Sequence, residues 1–359
     1  RGQGPVGIPI IPQGSAGRGT MIPVIFGLSG PTLTADEAAL FRASEPAGFI
    51  LFARNIEHPA QLRALTDSLR DLTGREQLPI LIDQEGGRVA RLGPPHWRSW
   101  PSAAALTDPT GAATESSLLR TAERVKCNYE ALGLELAAAG VTVTCAPVLD
   151  LPQPDAHDVI GDRAFGSAVD SVVALGRACL EGLQLAGIAG VIKHIPGHGR
   201  ARSDSHESLP RVDAAASALA LDCAPFKALS DASMAMTAHV VYEAWDGDAC
   251  ASVSERVIQE QIRGQIGFDG LLISDDLDMK ALTGDIPSRA VAVLEAGCDI
   301  ALNCWGRLDD MLAIAERVPA MTSHASDRLA RACSPLGAVP DSQALSARMA
   351  ALIARRDAL

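Results

Sequence analysis

The sequence predicts an α/β protein built as a single (β/α)8 TIM barrel, and three observations carry that expectation. Strand-like and helix-like segments alternate from Met21 onward, as they do when a parallel sheet is connected by helical crossovers. The alternation repeats eight times, the number that closes a barrel. Titratable side chains also gather at the carboxyl ends of the predicted strands, which is the rim where such barrels hold their chemistry.

The strands are read from short apolar, β-branched runs bounded by turn formers. They are 22–26, 48–52, 80–82, 141–145, 190–192, 234–237, 271–273 and 300–302. Helical periodicity fills the gaps at 35–43, 59–72, 115–139, 169–185, 214–229, 255–265, 288–296 and 308–318. A last helix, 342–355, is expected to pack on the outside. Asp83 then follows the third strand and Asp150 the fourth. Lys193 and His194 end the fifth, His239 trails the sixth, Asp275 ends the seventh and Asn303 the eighth. No composition break divides the chain after Asp83, so residues 21–359 are expected to form one catalytic barrel. Residues 1–20, rich in Gly and Pro and without a starting Met, are expected to be a flexible leader or cloning remnant.

Composition narrows the class. The chain has 359 residues, 47% hydrophobic and 21% charged, enough for one large core. Its net charge of -12 argues against a nucleic-acid or anionic-membrane partner, since phosphate binding needs clustered Lys and Arg. No apolar run reaches the roughly 18–20 residues of a membrane span. The eight cysteines are scattered without a C-x-x-C pair, which suits reduced thiols in a cytoplasmic protein better than disulfides or a zinc site.

The stretch 190–210, GVIKHIPGHGRARSDSHESLP, is the richest in chemistry. A short buried strand delivers Lys193 and His194 to a loop broken by Pro and Gly, and the loop returns Asp204 and His206 two residues apart. An imidazole near its ordinary pKa of about 6.5 can give and take a proton, and a nearby carboxylate orients it. In LLISDDLDMKAL, 271–282, two carboxylates close a buried strand. Strand alternation lets only one of Asp275 and Asp276 face a substrate easily, and the other is expected to cap the following helix. A carboxylate there can be a nucleophile, a general base or a metal ligand. In LIDQEGGRVARL, 81–92, Asp83 ends a strand, Gly86 and Gly87 are expected to let backbone approach a ligand, and Arg88 and Arg91 supply planar donors suited to hydroxyls and carbonyls. In IGDRAFG, 160–166, Arg163 follows Asp162, where a surface ion pair is the plainer reading.

With these residues in hand, the chain resembles the glycoside hydrolase family 3 β-N-acetylglucosaminidases, in particular the single-domain bacterial enzymes of peptidoglycan recycling. The resemblance runs from about Ile22 to Cys304. It is carried by GFILFARN, IDQEGGRVARL, APVLD, IGDRAFG, the KH-x-PGHG-x4-DSH loop, TAHVVY, GFDG-x3-SDDL-x-MK and EAGCD. It implies that Asp275 is the nucleophile, His206 the acid/base and Asp204 its partner. It implies further that Asp83, Arg91, Arg163, Lys193 and His194 hold an N-acetylglucosamine unit. The implied reaction is hydrolysis of GlcNAc-1,6-anhydro-N-acetylmuramic acid and its peptide-bearing forms in the cytoplasm, with no metal or organic cofactor. Ile195 departs from the pattern, since an aromatic residue is common there. The 4% aromatic content favours a short soluble saccharide over a polysaccharide, and a monomer is expected. Three alternatives stay open: a phosphorylase of the same family, a metal-dependent barrel hydrolase and a non-catalytic sugar-binding barrel. The second would draw on His194, His198, Asp204, His206, His239 and Asp275, although the first strand lacks an H-x-H pair.

Overall fold

Eight parallel strands pair in chain order and close on themselves: β1 (Ile22–Gly27), β2 (Pro46–Leu51), β3 (Ile80–Ile82), β4 (Val143–Thr144), β5 (Ala189–Ile195), β6 (Met234–Thr237), β7 (Leu271–Asp276) and β8 (Ile300–Asn303). The last strand returns to the first, with Val24 opposite Ala301 and Phe26 opposite Asn303. The structure, a computed structural model, describes residues 21–107, 114–204, 208–334 and 342–359. The expected leader, 1–20, and the expected acid/base, His206, lie outside the described residues. Every predicted strand is present, so the fold is a (β/α)8 barrel as expected.

Strand alternation divides the buried residues into two layers. Ile50, Leu81, Val143, Val191, Ile273 and Leu302 belong to the cluster that fills the barrel. Their neighbours Phe49, Leu51, Ile80, Ile82, Ile192 and Leu272 belong to the larger cluster beneath the surrounding helices. The same period, run past the strand ends, fixes what stands at the carboxyl rim. After Ile50 comes Phe52, after Leu81 come Asp83 and Glu85, after Val191 Lys193, after Ile273 Asp275, and after Leu302 Cys304.

Two strands differ from expectation for backbone reasons. The β4 ladder stops at Thr144 because Pro147 has no N–H to donate. Pairing with β5 continues irregularly, through Val191 N to Ala146 O at 2.9 Å and Leu149 N to Lys193 O at 2.8 Å. In turn β5 runs on to Ile195, so Lys193 and His194 lie within the strand.

The helices fall near their predicted places, including Ser342–Ala358, which packs outside on Glu115–Ala138. Arg348 Nε donates to Glu130 at 2.9 Å and Arg356 Nη1 to Asn128 at 3.0 Å. The predicted 255–265 helix is instead the π-helix Val257–Ile266. Its wider turn places Val257 and Ile262, five apart, on one buried side. An unexpected helix, Ser323–Cys333, plugs the amino end of the barrel. Leu329, Ala332 and Cys333 join the inner cluster, with Met21 and Met321 packed beside it. All eight cysteines are unpaired and all but Cys223 are buried. Among the described residues no helix is long and apolar enough to cross a membrane.

Candidate active site

The carboxyl rim opens into a pocket with about 780 Å³ of space continuous with solvent. Its walls contain Asp83, Arg91, Arg163, Lys193, His194 and Asp275, six of the predicted site residues, gathered from four segments of the chain. Asp204 is half-buried on the loop after β5 and does not line this pocket. Its carbonyl accepts from Ser208 N at 3.0 Å.

One wall is a chain of alternating charges. Arg91 Nη2 donates to Asp83 Oδ2 at 2.9 Å, and Lys193 Nζ lies 3.4 Å from Asp83 Oδ1 and 2.6 Å from Glu85 Oε1. Arg163 then clamps Glu85 with two bonds of 2.9 and 2.8 Å. Burial alone pushes both carboxyls up, but Lys193 and its flanking guanidiniums hold Asp83 and Glu85 below the ordinary carboxylate range. Burial likewise works against the Lys193 ammonium, and the two carboxylates overcome it, raising its pKa. Five charged groups are thereby fixed before any ligand arrives, and such preorganised donors and acceptors suit a polyol.

Glu85 was not singled out in the sequence, and neither was the burial of Arg163, whose side chain is 12% exposed rather than part of a surface pair. Arg88 corrects an expectation: it turns away from the pocket to Asp162 and to the carbonyls of Asp158, Val159 and Ile160. The Gly86–Gly87 pair is also explained differently. A Cβ on Gly86, whose φ is +96°, would lie 2.1 Å from Pro101 O, and one on Gly87 would lie 2.5 Å from Ser102 Cβ. These glycines admit the chain's own 100–102 segment rather than a ligand.

A second wall is oriented by Asp150, which is fully buried. It accepts from His194 Nδ1 at 2.7 Å, from His194 N at 3.2 Å and from His198 N at 2.7 Å. Burial pushes its carboxyl up, but the facing imidazoles and these hydrogen bonds hold it below its ordinary range. An ionised carboxylate only accepts, so Nδ1 carries the His194 proton and Nε2 is left for the pocket. His198, also in the wall, is pushed down to about 4 by burial and then by His194.

The third wall is the end of β7. Asp275 is 7% exposed, and its Oδ1 accepts from Asp276 N at 2.9 Å. Burial raises its carboxyl, yet the neighbouring His239 and His194, the Asp276 amide and Lys193 leave it below the ordinary range and ionised. The backbone behind it is pinned twice: Ser274 Oγ donates to Asp275 O at 2.8 Å, and His239 Nε2 donates to Asp276 O at 3.0 Å. Asp276 does not cap a helix as expected. A bulge between Ile273 and Asp276 turns it to the mouth as well, where Oδ1 accepts from Asp278 N and Cys304 N, both at 3.2 Å. A matching bulge between Lys193 and Ile195 accompanies the turn of His194 into the same pocket. Burial and Asp278 raise the Asp276 carboxyl to about 6. Among the described residues no group of three His, Cys, Asp or Glu side chains is placed to hold a metal ion.

A closed (β/α)8 barrel with an ionised carboxylate facing fixed partners for hydroxyl groups is the architecture of a glycoside-cleaving enzyme. The chain belongs to glycosyl hydrolase family 3: residues 21–333 match the model described as the Glycosyl hydrolase family 3 N terminal domain. It is similar to the Beta-hexosaminidase of Alkalilimnicola ehrlichii, 41% identical over 85% of this chain and 84% of the relative. To the Beta-hexosaminidase of Bordetella avium it is 39% identical, over 90% and 91%. Among solved structures it resembles NagZ from Neisseria gonorrhoeae in complex with N-trifluoroacetyl-D-glucosamine, with a TM-score of 0.80, 32% identity and coverage of 95% and 97%.

Proposed function

We propose that this family 3 β-N-acetylhexosaminidase is a retaining exo-enzyme that removes N-acetylglucosamine through a covalent glycosyl-enzyme on Asp275. The observation that carries the reading is Asp275 itself, ionised at the barrel mouth with Oδ1 held by the Asp276 amide. Its other oxygen is left to attack the anomeric carbon. His206 protonates the leaving oxygen, and Asp204 orients it. Once neutral, His206 deprotonates the water that releases the sugar. Asp83, Arg91, Arg163, Lys193 and His194 hold the sugar hydroxyls and the N-acyl group. The fixed charges along that wall support this assignment, as does the N-acylated glucosamine in the Neisseria relative.

The substrate we assign is GlcNAc-1,6-anhydro-N-acetylmuramic acid with its peptide-bearing forms, cleaved in the cytoplasm during peptidoglycan recycling. Comparing an aryl N-acetyl-β-glucosaminide with the matching aryl glucoside tests the sugar assignment. Faster or equal turnover of the glucoside contradicts it. Repeating the reaction in phosphate tests the acceptor, since a sugar 1-phosphate as the main product contradicts hydrolysis.

A further inference from the structure

A second hollow, with about 540 Å³ of space open to solvent, is lined in part by the loop after β5, and Gln153, Asp155, Arg200, Arg202, Arg211 and Asp213 stand in its wall. Two loops contribute to both linings. The loop after β4 contributes Val159 and Ile160 to the active site and Gln153 and Asp155 to the hollow. The loop after β5 contributes His198 to the active site and Arg200 and Arg202 to the hollow. The loops are stitched together by Gln153 N on Gly199 O at 3.0 Å and His157 N on Ala201 O at 2.8 Å. Gly199 permits this approach, since a Cβ there would lie 2.0 Å from Leu151 O.

The cations differ in how they are held. Arg200 gives Nε to the buried Asp222 at 2.6 Å, which anchors it as part of the wall. Arg211 is tied to Glu243 at 2.7 Å and to Gly247 O at 2.7 Å. Arg202 is exposed and makes no ion pair among the described residues. In a chain of net charge -12, three arginines facing one hollow are a local departure. The exposed carboxylates of Asp155 and Asp213 share the same wall, so the lining offers donors for carboxylates beside acceptors for an ammonium.

We propose that this hollow is a subsite for the peptide of a peptide-bearing leaving group, with Arg202 taking a peptide carboxylate and Asp155 or Asp213 an ammonium. The proposal rests on the reading of His206 as acid. A general acid must touch the leaving oxygen, so the leaving group lies on the side of the loop that carries it. The arginines flank that loop. The peptide-free disaccharide carries a single carboxylate, on its lactyl ether, and no ammonium, whereas a zwitterionic peptide matches both signs of the lining.

The test compares kcat/KM for GlcNAc-1,6-anhydro-N-acetylmuramic acid with and without a tripeptide carrying free carboxylates and an amine. The unmodified protein is expected to prefer the peptide-bearing form, by less at high salt. Arg202→Gln should lower that preference about two- to fivefold, as one exposed charge contact does, through KM, with partial return in Arg202→Lys. An equal preference in the protein and in Arg202→Gln overturns the subsite. Titrating the released tripeptide alone into the protein separates the two readings. If neither disaccharide is cleaved, the assigned reaction fails. The subsite still stands if the peptide binds and Arg202→Gln weakens it, and falls if the peptide does not bind or binds both proteins equally.

Discussion

Lys193 Nζ lies 2.6 Å from Glu85 Oε1, with side chains only 3% and 5% exposed. The pair is therefore out of water and depends on its own partners. Glu85→Ala leaves the Lys193 ammonium and the Arg163 guanidinium facing a void, and is expected to cost about 3–5 kcal/mol. The urea midpoint should fall at an unchanged slope. A loss below about 1 kcal/mol would mean that the charges are relieved by water rather than by one another.

Two rim groups should move stability in opposite directions with pH. His198 is pushed from 6.5 to about 4, so the unfolded chain binds its proton first. Its contribution is complete above pH 6.5 and is lost as the pH falls through 4, by about 3 kcal/mol. Asp276 is raised from 3.8 to about 6, so the native state prefers its acid. That contribution is complete below pH 3.8 and is lost as the pH rises through 6. Asp276→Asn should therefore gain about 1–3 kcal/mol at pH 7 and nothing at pH 3.5. His198→Gln should flatten the acid limb. Parallel pH curves for the variants and the parent would contradict both assignments.

The inward set at the mouth was legible in the sequence because a strand's period of two carries on from a buried run. Leu81 leads to Asp83, Val191 to Lys193 and Ile273 to Asp275. One more step of the same count reaches Glu85, so its signal was there and was passed over. His194 and Asp276 stand out of phase and reach the pocket beside bulges, which leave no mark in composition. The partnership of Arg163 with Glu85 spans 78 positions and exists only once the barrel closes. The plugging helix Ser323–Cys333 was missed because Ala325, Leu329, Ala332 and Cys333 make a narrow buried stripe of mostly small residues.

His239 does not line the active-site pocket but holds the strand end, through Nε2 on Asp276 O at 3.0 Å and Nδ1 facing Ser252 Oγ at 2.7 Å. Releasing that end lets Asp275 drift. His239→Gln should lower kcat roughly ten- to a hundredfold with little change in KM, and Ser252→Ala should do so more mildly. A raised KM at unchanged kcat would make His239 a binding residue instead.

If His206 is the acid, its removal is felt in proportion to how badly the leaving group needs a proton. His206→Ala should slow alkyl and sugar leaving groups far more than a nitrophenolate. Equal losses across a series of leaving groups would contradict the role.

Asp275 and Asp276 both stand at the mouth, so the central claim is which carboxylate becomes bonded to the sugar. Incubation with a 5-fluoro-N-acetylglucosaminyl fluoride, followed by digestion and peptide mass spectrometry, reads this directly. A sugar-sized mass gain fragmenting to Asp275, and lost in Asp275→Ala while the barrel still unfolds cooperatively, is the expected result. A label on Asp276 or another residue, or an unlabelled protein that releases inverted sugar, would contradict the account.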